Sequence, residues 1–195
     1  MRPRTFAREI AFQVLYREDL NPQQRAAAAA VVGGDALLEQ GRQTRELMEF
    51  VRHMAALRDQ EDAGAAEEGE FYSQWLRTPS LVEFSRLLID GVTARRAELD
   101  EKIAAAAENW SVPRMAATDR NLLRLGCYEI DYTDTPVKVV IDEAVELAKR
   151  FGGAQSAQFV NGILDKLMQR KETAAKGGTI ANSEEAADRN HESHE

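Results

Sequence analysis

Only one cysteine, Cys127, occurs in the 195 residues, so no internal disulfide can brace the fold. Nowhere does the chain approach the roughly 20 uninterrupted apolar residues that a bilayer crossing needs. The opening Met1-Arg2-Pro3-Arg4-Thr5 is basic but has no apolar run behind it, so no secretory signal is expected. Together these absences place the chain in the cytoplasm as an expectation. Strand-like alternation of useful length is missing too, which leaves an all-α class. No glycine-rich phosphate loop is present. Positive charge is in deficit: 25 Lys and Arg against 33 Asp and Glu leave a formal net charge of -8. Read globally, that opposes nucleic-acid binding, because phosphate affinity comes chiefly from Lys and Arg displacing counterions.

What is present suits a compact helical protein. Hydrophobic residues at 44% can build a core, and charged residues at 30% can cover it. The length fits one domain, or one core with appendages. Charge is unevenly spread. Acids crowd 59–70 and 184–195, while Arg2, Arg4 and Arg8 gather at the amino end. An acidic protein can therefore still carry a local basic patch.

Periodicity sets out the helices. Phe6, Ile10 and Val14, with Ala7, Ala11 and Leu15, share one arc and predict a helix over about 5–18, stopped by Asn21-Pro22. Residues 23–62 are alanine-rich with a weak helical pattern, and 59–69 read as an acidic linker or exposed helix end. Phe71, Tyr72, Trp75 and Leu76 form a short aromatic helix. Ser80 and Glu83 have the spacing of a capping box, opening a long helix that carries Leu81 through Ile103 across Gly91. Trp110-Ser111-Val112-Pro113 marks a turn. Thr118 or Asp119 then caps a helix through Ile130. Pro136 suits the first turn of the next, Gly152 ends it, and Ser156 begins the last. From about Thr173 the composition predicts a disordered polar tail, 171–195.

Two stretches are more specific than periodicity. One is Glu143-Ala144-Val145-Glu146-Leu147-Ala148-Lys149-Arg150-Phe151, and the other is Phe159-Val160-Asn161-Gly162-Ile163-Leu164-Asp165-Lys166. With Arg8-Glu9, Ala11, Gln13, Leu15 and Tyr16 at the amino end, their order and spacing resemble the NusB family of transcription antitermination factors. The resemblance implies two small helix bundles over residues 1–170, with an atypical insertion at about 23–69. It implies no enzymatic activity, no catalytic residues, no metal and no cofactor. It implies binding of boxA RNA in ribosomal RNA leaders, together with NusE, a basic small-subunit ribosomal protein. The pair helps RNA polymerase resist termination. A basic partner would also offset the acidity of this chain. Family members occur as monomers or homodimers, and no membrane is involved.

The residues expected at the RNA are Arg2, Arg4, Arg8, Gln13, Tyr16, Gln155, Gln158 and Phe159. Arg4, Arg8, Phe12 and Tyr16 fall as a strip beside the apolar arc of the first helix. Arginine reaches phosphates and an open tyrosine gives a base a flat platform, the combination that suits single-stranded RNA. The alternative for Tyr16 is the edge of the core face, and for Phe159 the core itself. Basic residues frequent in this part of the family are replaced by Gln155 and Gln158. Asp119, Arg120 and Arg124 are expected at the NusE surface. For Asp119 the competing explanation is the helix dipole, and for the arginines a solvated face. Cys127 reads as a buried inert thiol, and Glu146 as an ion-pair partner of Lys149 or Arg150. His53 stands alone, and His191 and His194 lack further metal ligands. A helical protein–protein module without a primary RNA role is the competing function. Methyl transfer, found where such domains precede methyltransferases, is not expected of this chain.

Overall fold

A computed structural model of the chain describes residues 2–21, 44–45, 47–54, 56, 72–108 and 110–191, with side chains as far as residue 173. It is helical, with no strand among the described residues. Helix α1 spans Pro3–Leu20. α2 covers residues 47–54 and α3 residues 72–76. Then come α4 (Pro79–Ala94), α5 (Arg96–Ala106), a 3-10 turn at Val112–Arg114, α6 (Ala117–Tyr132), α7 (Val137–Phe151) and α8 (Ser156–His191).

Two apolar clusters hold these helices, and α1 belongs to both. The smaller packs Phe6, Ala7, Ile10 and Val14 of α1 against Leu47, Val51, Tyr72, Trp75 and Val82. The larger packs Ala11, Phe12 and Leu15 against Leu88, Leu99, Ile103, Leu122, Leu123, Leu147, Val160 and Leu164. α1 is consequently buried on almost every side from Phe6 to Leu15, as a central helix is. Ser85 ties the smaller cluster together: its hydroxyl donates to the Ala7 carbonyl at 2.9 Å and accepts the Trp75 indole N–H at 3.0 Å. Each fully buried Leu or Ile contributes roughly 1.5–3 kcal/mol, so the larger cluster carries most of the stabilisation.

Several boundaries differ from those predicted. α4 starts at Pro79 with Thr78 at its N-cap, and no side-chain capping bond forms. Proline's preset φ at the first position moves the start ahead of Ser80, so the capping box is not made. The long helix predicted over 81–103 is two helices, divided at Arg95. Gly91 lies within α4 for a packing reason: a Cβ there would stand 2.0 Å from Tyr128 Cζ. α6 begins at Ala117 with Ala116 as its N-cap, two or three residues ahead of the predicted Thr118 or Asp119 cap. Pro136 is the N-cap of α7 rather than a member of its first turn.

Part of the stretch expected as an insertion belongs to the core, because Leu47 and Val51 are buried in the smaller cluster. Within the same stretch, 23–43, 46, 55 and 57–69 lie outside the described residues. The backbone of α8 continues to His191, where composition predicts a disordered tail. Alanines and glutamates at 184–187 favour helix locally and outweigh the polar character of the segment. His194 lies outside the described residues, as does the side chain of His191.

Candidate nucleic-acid interface

The amino end of α1 presents Arg2 and Arg4, both exposed. The Arg4 guanidinium lies 5.3 Å over the Phe84 ring. Beside them a cavity of about 500 Å³ is lined by Arg2, Arg4, Phe84, Leu87, Tyr132 and Val139 among others. Leu87, Tyr132 and Val139 are apolar groups left open to solvent there.

Arg8 corrects an expectation. It is 3% exposed and forks onto Glu129, which is 1% exposed, with Nε–Oε1 at 2.9 Å and Nη2–Oε2 at 2.8 Å. Glu143 stands 3.8 Å from Nη1 and accepts a 3.0 Å hydrogen bond from the Thr5 hydroxyl. The strip of Arg4, Arg8, Phe12 and Tyr16 was expected to line an open edge, but α4, α6 and α7 close over α1 and bury its middle. Phe12 is core, and Tyr16 is half-buried against the larger cluster. The Arg8 fork is thus a structural pair and offers no free donor pair to a phosphate.

Further along α1, Gln13 donates to Glu9 at 3.2 Å, while its own carbonyl oxygen is buried without a partner. Glu9 in turn accepts from Arg150 at 2.6 Å. Tyr16 stacks obliquely on Phe12 at 5.9 Å, and Phe12 meets Phe151 at 5.3 Å. These contacts lay the Tyr16 edge against the end of α7, from which Gly152 to Gln155 lead into α8. At that turn the Ser156 hydroxyl accepts the Gly153 N–H at 2.9 Å. Gln155 and Gln158 are exposed, and Phe159 is half-buried, meeting Trp110 at 5.5 Å with the rings 67° apart.

Arg120 and Arg124 also differ from expectation. They converge on Asp19, near the end of α1, rather than standing solvated or at an outer face. Asp19 Oδ2 accepts from Arg120 Nε at 2.9 Å and from Asn121 at 3.1 Å. Its Oδ1 accepts from Arg124 at 3.3 Å and from Arg96. Arg124 also forks onto Asp100 at 2.6 and 2.7 Å. Burial first, and the adjacent Arg124 second, hold the Arg96 and Arg120 guanidiniums below their ordinary range. The legible signal for this hub is an aspartate in the last turn of a helix, where the dipole disfavours an anion unless cations meet it. Asp119 is half-buried in the first turn of α6, and its Oδ1 has no hydrogen-bond partner.

Cys127 is buried, and desolvation pushes its thiol up to about 12. Glu146 pairs with Lys149 at 2.6 Å, and His53 is exposed. Among the described residues no group of three or more His, Cys, Asp or Glu could hold a metal ion, and no helix is long and apolar enough to cross a membrane.

Two strand-free helix clusters threaded by one shared amino-terminal helix define an all-α bundle protein. Residues 42–169, more than half of the chain, match the family model described as the NusB family. The chain belongs to the NusB family. The transcription antitermination protein NusB of Myxococcus xanthus is 49% identical over 92 residues, which are 47% of this chain and 66% of that protein. The chain thus spans just under two thirds of that relative. The solved NusB of T. maritima is 28% identical with a TM-score of 0.56, covering 87% of this chain and 92% of that one. A NusB solved with NusE and double-stranded RNA shares the fold at 24% identity and a TM-score of 0.56, covering 87% and 98%. The family match begins at residue 42, so it includes 42–69 of the stretch expected as an insertion, in keeping with the buried Leu47 and Val51.

Proposed function

We propose that this chain is a transcription antitermination factor that binds boxA RNA of ribosomal RNA leaders together with NusE, and so helps RNA polymerase resist termination. The family match over residues 42–169 carries this reading. It acts by binding, as a cytoplasmic adaptor, and not by catalysis. Arg2 and Arg4 contact phosphates, and Gln13, Tyr16, Gln155, Gln158 and Phe159 line the path of the strand. Arg8 contributes by positioning α1 through Glu129. Asp119, half-buried in the first turn of α6, lies at the surface that meets the basic partner, for which complementary charge favours encounter. Arg120 and Arg124 support that surface from within the Asp19 hub. The folded unit is residues 1–170, with 171–195 an appendage.

Fluorescence anisotropy of labelled boxA RNA tests this. Weak binding by the chain alone and clear enhancement by NusE support it; no binding even with NusE refutes it. One observation favours a second reading. Arg8 and Arg124 are both committed to internal carboxylates, which reduces the free cationic charge. A helical protein-interaction module without a primary RNA role would bind NusE in the same experiment and leave the RNA free.

A further inference from the structure

The exposed face of α8 carries a feature that the fold itself does not require. Gly91 and Gly126 are explained by packing, since a Cβ at either would meet Tyr128 at 2.0 Å or Leu164 at 2.9 Å. Gly162 is different: a Cβ there would meet nothing within 4 Å. Glycine inside a helix is destabilising relative to alanine, and nothing among the described residues compensates. A bare backbone at an open position is what close approach of another molecule needs.

The neighbours of Gly162 suggest which molecule. Gln155, Gln158, Gly162, Lys166, Gln169 and Arg170 recur at helical spacing, are all exposed and include no acid, in a chain of net charge -8. Beside the upper part of this stripe stands Trp110. It is 56% exposed and touches Phe159 through a ring edge, so indole surface remains open. Beside its lower part, a depression of about 630 Å³ is lined by Glu108, Lys166, Gln169, Arg170 and Thr173. Lys166 pairs with Glu108 at 2.9 Å, but both are exposed, and such a pair is readily exchanged for a phosphate. Arg170 donates to the Ala105 carbonyl at 2.7 Å, which holds its guanidinium along the same groove.

An aromatic platform, a bare stretch of backbone and two cations in order along one helix form a track for single-stranded nucleic acid. We infer that the RNA site extends beyond boxA itself: the adjoining single-stranded nucleotides run along α8, stacking a base on Trp110, crossing Gly162 and placing phosphates at Lys166 and Arg170. This rests on the proposed RNA function and adds a contact surface to it.

The test compares bare boxA RNA with boxA extended by several nucleotides at either end, on the full chain with NusE. The expected result is tighter binding of one extended RNA, with quenching of tryptophan fluorescence. Trp75 is fully buried, so the quenching reports Trp110. Trp110→Ala should weaken the extended RNA about tenfold, as loss of one stacked base does, a larger loss than bare boxA suffers through the contact of Trp110 with Phe159. Gly162→Ala should raise the melting temperature by about 2–4 °C, yet weaken the extended RNA; a merely structural glycine cannot give opposite signs. Binding of bare boxA with no gain from extension and no quenching overturns this inference alone. Quenching by NusE without RNA, with Gly162→Ala weakening NusE instead, overturns it in favour of a protein contact. Failure to bind any boxA RNA overturns both this and the proposed function.

Discussion

Removing Arg8 should destabilise the fold before it tells us anything about RNA. Its guanidinium makes two bonds of 2.9 and 2.8 Å to Glu129, and both side chains are almost wholly excluded from water. Arg8→Ala leaves the Glu129 carboxylate as an uncompensated buried charge, and Glu143, 3.8 Å from the same guanidinium, loses its cation as well. Breaking a buried pair from one side costs about 3–5 kcal/mol. For a chain of this size that lowers the melting temperature by roughly 6–20 °C, taking about 2–4 °C per kcal/mol. Replacing both partners with apolar residues of similar volume, Arg8→Met with Glu129→Leu, should restore most of the loss, since such exchanges are neutral or stabilising. Arg4→Ala, at an exposed position, should stay within about 0.5 kcal/mol. Urea denaturation followed by circular dichroism measures all four proteins. If Arg8→Ala loses less than about 1 kcal/mol, or the double variant is as unstable as the single, the buried-pair account is wrong.

Gly91→Ala should destabilise by about 1–3 kcal/mol, the range for overpacking, because its Cβ would lie 2.0 Å from Tyr128 Cζ. Tyr128→Phe keeps that carbon in place and should not rescue it, which thermal melts will show. Cys127 should resist a thiol reagent in the folded protein and react fully in denaturant, because burial pushes its thiol from 9.0 up to about 12. Its neutral form is favoured in the fold, so that contribution is intact below pH 9 and declines as pH rises toward 12; a Cys127→Ala variant should lose stability less steeply over the same window. The paired variant Arg2→Ala with Arg4→Ala should bind boxA RNA more weakly and flatten the dependence of log affinity on log salt by about 1.4, two single-strand contacts at 0.7 each. An unchanged slope would remove those arginines from the interface.

Helix class, helix order and most of the core are legible in the chain, because leucines and isoleucines at three- and four-residue spacing leave little choice of face. Leu122, Leu123, Leu147, Val160 and Leu164 are all core, as their periodicity implies. What periodicity cannot show is how many sides of a helix are covered. The arc of Phe6, Ile10 and Val14 marks one buried face of α1, and its polar flank suggests an open one. That flank is instead closed by carboxylates 121 and 135 residues away, Glu129 and Glu143, with which Arg8 pairs only once α6 and α7 have packed. Arg120 and Arg124 are opaque for the same reason: their spacing fits a solvated face equally well, and only the distant Asp19 turns them inward. Trp110 is visible in the sequence, but its exposure depends on a turn whose geometry no pattern specifies.

Because α1 serves both hydrophobic clusters, the halves of this molecule have no separate lives. Withdrawing α1 from Trp75 and Val82 also strips Phe12 and Leu15 from Leu122 and Leu147, so heating should give one transition, seen alike by far-ultraviolet and tryptophan signals. Amides of α1 should exchange with deuterated water only when the whole chain opens. A ligand that grips the amino end of this spindle therefore tightens both halves at once, and a protease that cuts within it dismantles them together.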